Sequence, residues 1–159
     1  MEMLTEREEK WWKILVWLLS FTSVVAVLII YHLIVWLKGG PIFPKIQQAN
    51  ISAILGIVTS FSITMTGFIA AIGAYLLSVS RNPTFSEWRN NGYLSIFFNL
   101  YGAAIVFLLG TFGASLMMLV TTGGMWWLKV ILSLVIVNLM HVVIITYIVV
   151  NQAKINDDC

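Results

Sequence analysis

Few residues in this 159-residue chain have side chains that do chemistry, and their placement is informative. There are two histidines, His32 and His141, and one cysteine, Cys159. A histidine pair on apolar helices can ligate haem from both faces. His32 stands six residues before Lys38 and His141 twelve residues after Lys129. At 1.5 Å per residue their depths differ by about 9 Å, which is awkward for one iron. Cys159 is the only cysteine, so no internal disulfide forms, and without a C-x-x-C pair a thiol oxidoreductase is excluded. Asn156-Asp157-Asp158-Cys159 is a poor prenylation signal, since its cysteine is the last residue. Metal catalysis lacks ligands. Asn138 and His141 are spaced i,i+3 and share one helix face. Ser60, Ser62, Thr64 and Thr66 occupy a similar depth on another segment. Ser60, Thr64, Asn138 and His141 therefore form a candidate intramembrane polar network. It serves either as glue between helices or as the lining of a pore or switch.

The elements that must carry these groups follow from the charges. The chain is 60% hydrophobic and 10% charged, with a mean hydropathy of +0.93. A soluble domain is about a quarter charged, so a soluble enzyme is excluded, and the apolar content excludes disorder. Charged residues bound uncharged stretches of 24, 35, 39 and 24 residues. A bilayer core of about 30 Å needs about 20 helical residues, so each stretch holds one span. The predicted fold is an all-α integral membrane protein. Its single domain, 1–159, has four transmembrane helices at about 14–37, 51–79, 93–120 and 128–150 in a compact bundle with short loops. No period-2 alternation suggests a barrel.

No Asp or Glu falls within these spans. Proton-coupled carriers usually keep one there, which weakens a carrier reading. Six Lys/Arg fall on the side of the two termini and three on the other. The positive-inside rule then places both termini in the cytoplasm. Six of the seven tryptophans lie at predicted span ends, where an indole suits the headgroup layer, and Trp17 lies one turn further in. Residues 1–13 read as a cytoplasmic charged helix start and not as a cleavable leader. Thr5 to Glu8 matches a capping box, and Glu6–Lys10 and Glu9–Lys13 are i,i+4 pairs. Residues 151–159 form a cytoplasmic tail. Thr84 to Glu87 is a second capping box, predicting a short interfacial helix that breaks near Asn90-Asn91-Gly92.

The most specific pattern is a seam of small residues. Ala53, Ser60, Gly67 and Ala74 recur every seven residues, and Thr64, Ala71 and Ser78 interleave with them, with Ile57 the exception. Gly56 and Gly73 lie beside the seam. The third span adds Gly113 and a Gly110-x-x-x-Ala114 match. Small residues let helix backbones approach closely, so spans two and three are expected to form the packed centre, with spans one and four facing lipid over much of their surface. A seam longer than one neighbour needs also suits a homo-oligomer. The loop carrying Arg81, Glu87, Trp88 and Arg89 is a candidate cytoplasmic docking surface.

Two function classes remain. One is a non-enzymatic membrane subunit, homo-oligomeric, acting as sensor, pore or anchor for a cytoplasmic protein partner, with no cofactor. The other is a small bilayer enzyme or haem-binding redox subunit. A net charge of +2 offers nothing to a nucleic acid. In size, span number and minimal loops the chain is similar to small membrane subunits of bacterial antiphage systems, such as the membrane component of Kiwa. That is an analogy of plan carried by no motif, and fold alone does not give function. It implies a multi-pass protein of the bacterial inner membrane that senses a membrane disturbance and signals to a soluble partner.

Overall fold

A computed structural model describes residues 4–40, 48–79, 83–121 and 124–157. They form five helices: α1 (Glu6–Lys38), α2 (Gln48–Val79), α3 (Pro83–Asn90), α4 (Tyr93–Val120) and α5 (Met125–Asp157). All but α3 are long and apolar enough to cross a membrane, which makes the chain a multi-pass helical bundle.

Local chemistry sets several boundaries. Thr5 caps α1, and its capping box with Glu8 closes in both directions. Glu9 and Lys13 pair at 2.7 Å. Gly39 ends α1 at φ 67°, a left-handed conformation that glycine adopts without a Cβ clash. Gly92, at φ 83°, separates α3 from α4. The start of the chain meets that corner, where the Leu4 N–H donates to the Asn91 carbonyl at 3.4 Å. The Thr84–Glu87 capping box involves side chains outside the described residues, although the short helix it announced is α3.

α4 and α5 form the central pair. α2 packs along α4 and touches α5 less, while α1 lies against α4 and α5. The expectation that the fourth span mostly faces lipid is therefore corrected. α5 buries Leu128, Ile131, Ser133, Val137, Asn138, His141 and Ile145, whereas Ser20 alone is buried on α1. Two apolar clusters lie toward the ends of the bundle. Near the end of the chain termini, Ile69, Ile72 and Leu76 gather with Trp88, Phe97, Ala104, Leu108 and Ile145. Toward the other end, Leu55 and Val58 gather with Met118, Leu128 and Ile131. A polar layer lies between them.

The seam on α2 does not form that interior. Ala53, Gly56, Ser60, Thr64, Gly67, Ala71 and Ala74 are all exposed. The buried face is Leu55, Val58, Ser62, Ile69, Ile72 and Leu76, with Met65 half-buried among them. This set also advances by alternating steps of three and four. It starts two residues after the small set, and two residues turn a helix by about 200°, so the stripes occupy opposite faces. Side-chain volume explains the choice. In lipid no apolarity difference drives a face inward, and the bulky stripe fills space around Ala104 that a small stripe would leave open.

One glycine does serve close approach. A Cβ at Gly73 would overlap the Tyr101 hydroxyl and lie 3.1 Å from Tyr101 Cζ. That hydroxyl donates to the Ile69 carbonyl at 3.1 Å, locking α4 onto α2. Gly110 is exposed, Gly113 is half-buried, and a Cβ at either would meet nothing within 4 Å; Ala114 packs against the second cluster.

Candidate functional site

Between the apolar clusters, three helices bring neutral polar groups together. Ser20 of α1 reaches across to α5, with its Oγ 2.8 Å from His141 Nε2. The Ser20 hydroxyl also lies 2.8 Å from the Val16 carbonyl of its own helix. On α4, the Thr111 hydroxyl donates to the Phe107 carbonyl at 2.7 Å. Asn138 Nδ2 donates to Thr111 Oγ1 at 2.7 Å and reaches the Phe107 carbonyl at 3.5 Å. The Phe107 ring lies 5.5 Å from the His141 imidazole. Asn138 and Thr111 are fully enclosed, and Ser20 and His141 nearly so, at 4% and 5% exposure.

Further polar contacts continue in both directions. Toward the end of the chain termini, Trp17 Nε1 donates to Asn99 Oδ1 at 3.2 Å, and Asn99 Nδ2 donates to the Lys13 carbonyl at 2.9 Å. Toward the other end, Thr59 and Ser115 share a hydrogen bond of 2.9 Å. Asn99 and Ser115 are sixteen residues apart on α4, about 24 Å at 1.5 Å per residue. The polar string therefore runs most of the helix length. Interhelical hydrogen bonds of this kind contribute about 0.6 kcal/mol each on average.

Sequence reasoning brought Asn138 and His141 to one face, and both are buried in this layer. Ser60 and Thr64 do not join them. Both face outward, and Thr64 donates to the Ser60 carbonyl at 2.9 Å on its own helix. α2 instead turns Thr59 and Ser62 inward, one and two residues away from positions on the opposite stripe. Ser20, Thr59, Asn99, Thr111 and Ser115 were missed. Trp17, displaced one turn from the other interfacial tryptophans, was the available signal for the Asn99 contact.

The two histidines do not converge. His141 meets Ser20, and His32 lies twelve residues beyond Ser20 on α1, about 18 Å along the axis. His32 is exposed, edge-on to Tyr31 at 5.5 Å, with Nδ1 2.9 Å from the Leu28 carbonyl. The two rings cannot ligate one iron in this arrangement. A serine within hydrogen-bond reach of a histidine has the first geometry of an activated nucleophile. Here the pair is sealed, and the backbone around it is helical, with its N–H groups committed and none left to hold an oxyanion. Among the described residues, no group of three His, Cys, Asp or Glu gathers to hold a metal.

The proposed docking loop divides. Trp88 is buried, its ring 5.4 Å from that of Phe97, so this indole anchors α3 to the core and offers no docking surface. Arg89 is exposed. Arg81 and the Glu87 side chain lie outside the described residues.

No known protein family, curated protein or solved structure matches this chain.

Proposed function

We propose that this chain is a non-enzymatic membrane subunit that assembles with copies of itself through the outward face of α2. The observation that carries the reading is the contrast between two exposed helix faces. The exposed residues of α1 include Leu18, Phe21, Val25, Ile29, Leu33 and Trp36, bulky and suited to lipid. Those of α2 include Ala53, Gly56, Ser60, Thr64, Gly67 and Ala71, a small-residue strip flanked by the bulkier Ile57, Ile63 and Phe68. Small side chains permit close backbone approach, and hydroxyls left in hydrocarbon gain from a protein neighbour. Among the described residues, no other helix covers this face. The charge asymmetry of six Lys/Arg against three supports an orientation with both termini in the cytoplasm.

Among the roles of pore, sensor and anchor, a pore has the most support. Ser52, Ser60 and Thr64 lie on the same exposed side, so copies arranged with α2 inward would turn hydroxyls toward the axis. The burial of Trp88 takes the most prominent apolar group away from the anchor reading.

The experiment is the oligomeric mass in a mild detergent and in lipid nanodiscs. Wild type is expected at a multiple of 17.9 kDa. Gly56→Leu and Gly67→Leu should each reduce the mass toward the monomer, since a side chain there meets nothing within its own bundle. A monomeric wild type in both media overturns the reading. Conductance in planar bilayers separates a pore from the other roles.

A further inference from the structure

The polar layer contains a hydrogen-bond deficit that identifies a ligand. Asn138 Oδ1 and His141 Nδ1 are both enclosed, and among the described residues neither has a well-formed hydrogen-bond partner. They lie one turn apart on the same face of α5. A helical side chain leans toward the N-terminal end of its helix, so the His141 ring lies over the turn that carries Asn138.

The hydrogens can be counted. The Ser20 hydroxyl has one hydrogen, and the Val16 carbonyl beside it can only accept. Keeping both Ser20 contacts therefore requires His141 Nε2–H to donate to Ser20 Oγ, which leaves Nδ1 as an acceptor beside the Val137 carbonyl of its own helix, a group that also can only accept. The Asn138 amide nitrogen already points at Thr111 and Phe107, which leaves Oδ1 as the second bare acceptor. Reversing the amide would only move the deficit. Oδ1 would face the Phe107 carbonyl, and the two N–H groups would be stranded instead.

Two acceptors thus lack two donors. A proton on Nδ1 would supply one donor and would bring a positive charge. The groups that meet His141 are Ser20 from α1, Phe107 from α4 and Val137 on its own helix, with Val16, Thr111 and Asn138 next to them, none of them charged. α2 presents Ser62 at this level, also neutral, and a cation would be equally uncompensated. A water molecule supplies two hydrogens and no charge, and buried waters typically satisfy such otherwise unpaired groups. We propose that Asn138 and His141 hold an internal water at the junction of α1, α4 and α5. That water completes the polar string at the point where α1 is attached.

The test is nitrogen and water-contact NMR of the full chain in nanodiscs. His32→Gln leaves a single imidazole for assignment and changes only an exposed ring. The expected result is a neutral Nε2–H tautomer between pH 6 and 8, an Nδ1 shift characteristic of an accepted hydrogen bond, and magnetisation transfer from water to the ring. Asn138→Leu should reduce that transfer at least several-fold while the Nε2–H signal persists. No water transfer in the otherwise intact protein overturns the proposal, because the site is then dry. A doubly protonated imidazole across the same range also overturns it, because a proton then occupies the site. The first two measurements do not depend on whether the Asn138 variant folds.

Discussion

Gly73→Ala tests the close approach of α2 to α4. Alanine is the better helix former by about 1 kcal/mol, so in open space the substitution should stabilise. Here the new methyl occupies the position of the Tyr101 hydroxyl, and that ring is held by its 3.1 Å hydrogen bond to Ile69. Overpacking costs about 1–3 kcal/mol. Losing the tyrosine hydrogen bond costs about 0.5–1.5 kcal/mol more. Subtracting the propensity gain leaves a net loss of about 0.5–3.5 kcal/mol. The assay is unfolding in detergent, followed by tryptophan fluorescence, of four proteins: wild type, Gly73→Ala, Tyr101→Phe and the double variant. Removing the hydroxyl removes the worst overlap but leaves the ring carbon at 3.1 Å, so rescue should be partial. The coupling between the two changes should then favour the double variant. Gly110→Ala is the control, since a Cβ there meets nothing within 4 Å, and it should be no less stable than wild type. If Gly73→Ala is as stable as Gly110→Ala, or if Tyr101→Phe gives no rescue, the close approach is not what the glycine provides.

Two further outcomes concern α1. Asn99→Leu strands the Trp17 indole N–H, at a cost of about 1–3 kcal/mol. It should raise hydrogen exchange in α1 selectively, and unchanged exchange there would show that Asn99 does not hold this helix. The start of α1 should also loosen in acid. Hydrogen bonds from the Thr5 side chain and backbone hold the Glu8 carboxyl below its ordinary value of 4.5, and those from Lys13 and Ser95 lower Glu9. The folded state therefore releases these protons more readily than the unfolded one. The stabilisation is fully present above pH 4.5 and is lost as pH falls through the lowered values. Amide protection over residues 6–13 should fall between pH 6 and pH 3 while the spans remain protected, and equal protection at both ends of that range would contradict the assignment.

Much of the architecture was legible because water and lipid treat charge so differently. Lys13, Lys38, Lys45, Arg81, Arg89, Lys129 and Lys154 mark the ends of the apolar stretches, and each stretch is carried by one of the four long helices, of which α1 and α5 run on past the bounding charges. Thr5 and Glu8 announced a helix start, and Gly92 breaks the chain at the Asn90-Asn91-Gly92 corner that the sequence marks. Asn138 and His141 were legible as one face because i,i+3 spacing is a property of the helix alone. Their partners were not, since Ser20 lies 121 residues from His141 in sequence and no local pattern links them.

The decision that required tertiary structure concerns α2. Its sequence contains two stripes of similar period on opposite faces, one small (Ala53, Ser60, Gly67, Ala74) and one mostly bulky (Leu55, Val58, Ile69, Ile72, Leu76, with Ser62 among them). In a soluble helix, polarity would label the inward stripe. In a membrane-spanning helix both faces are apolar enough, and hydropathy has no preference between them. Only the shape of α4, small at Ala104 and bulky at Phe97 and Leu108, selects the stripe that interlocks with it. The sequence alone determined that α2 has two faces. The packed bundle determined that the bulky one is consumed within the chain and the small one is left for whatever comes next.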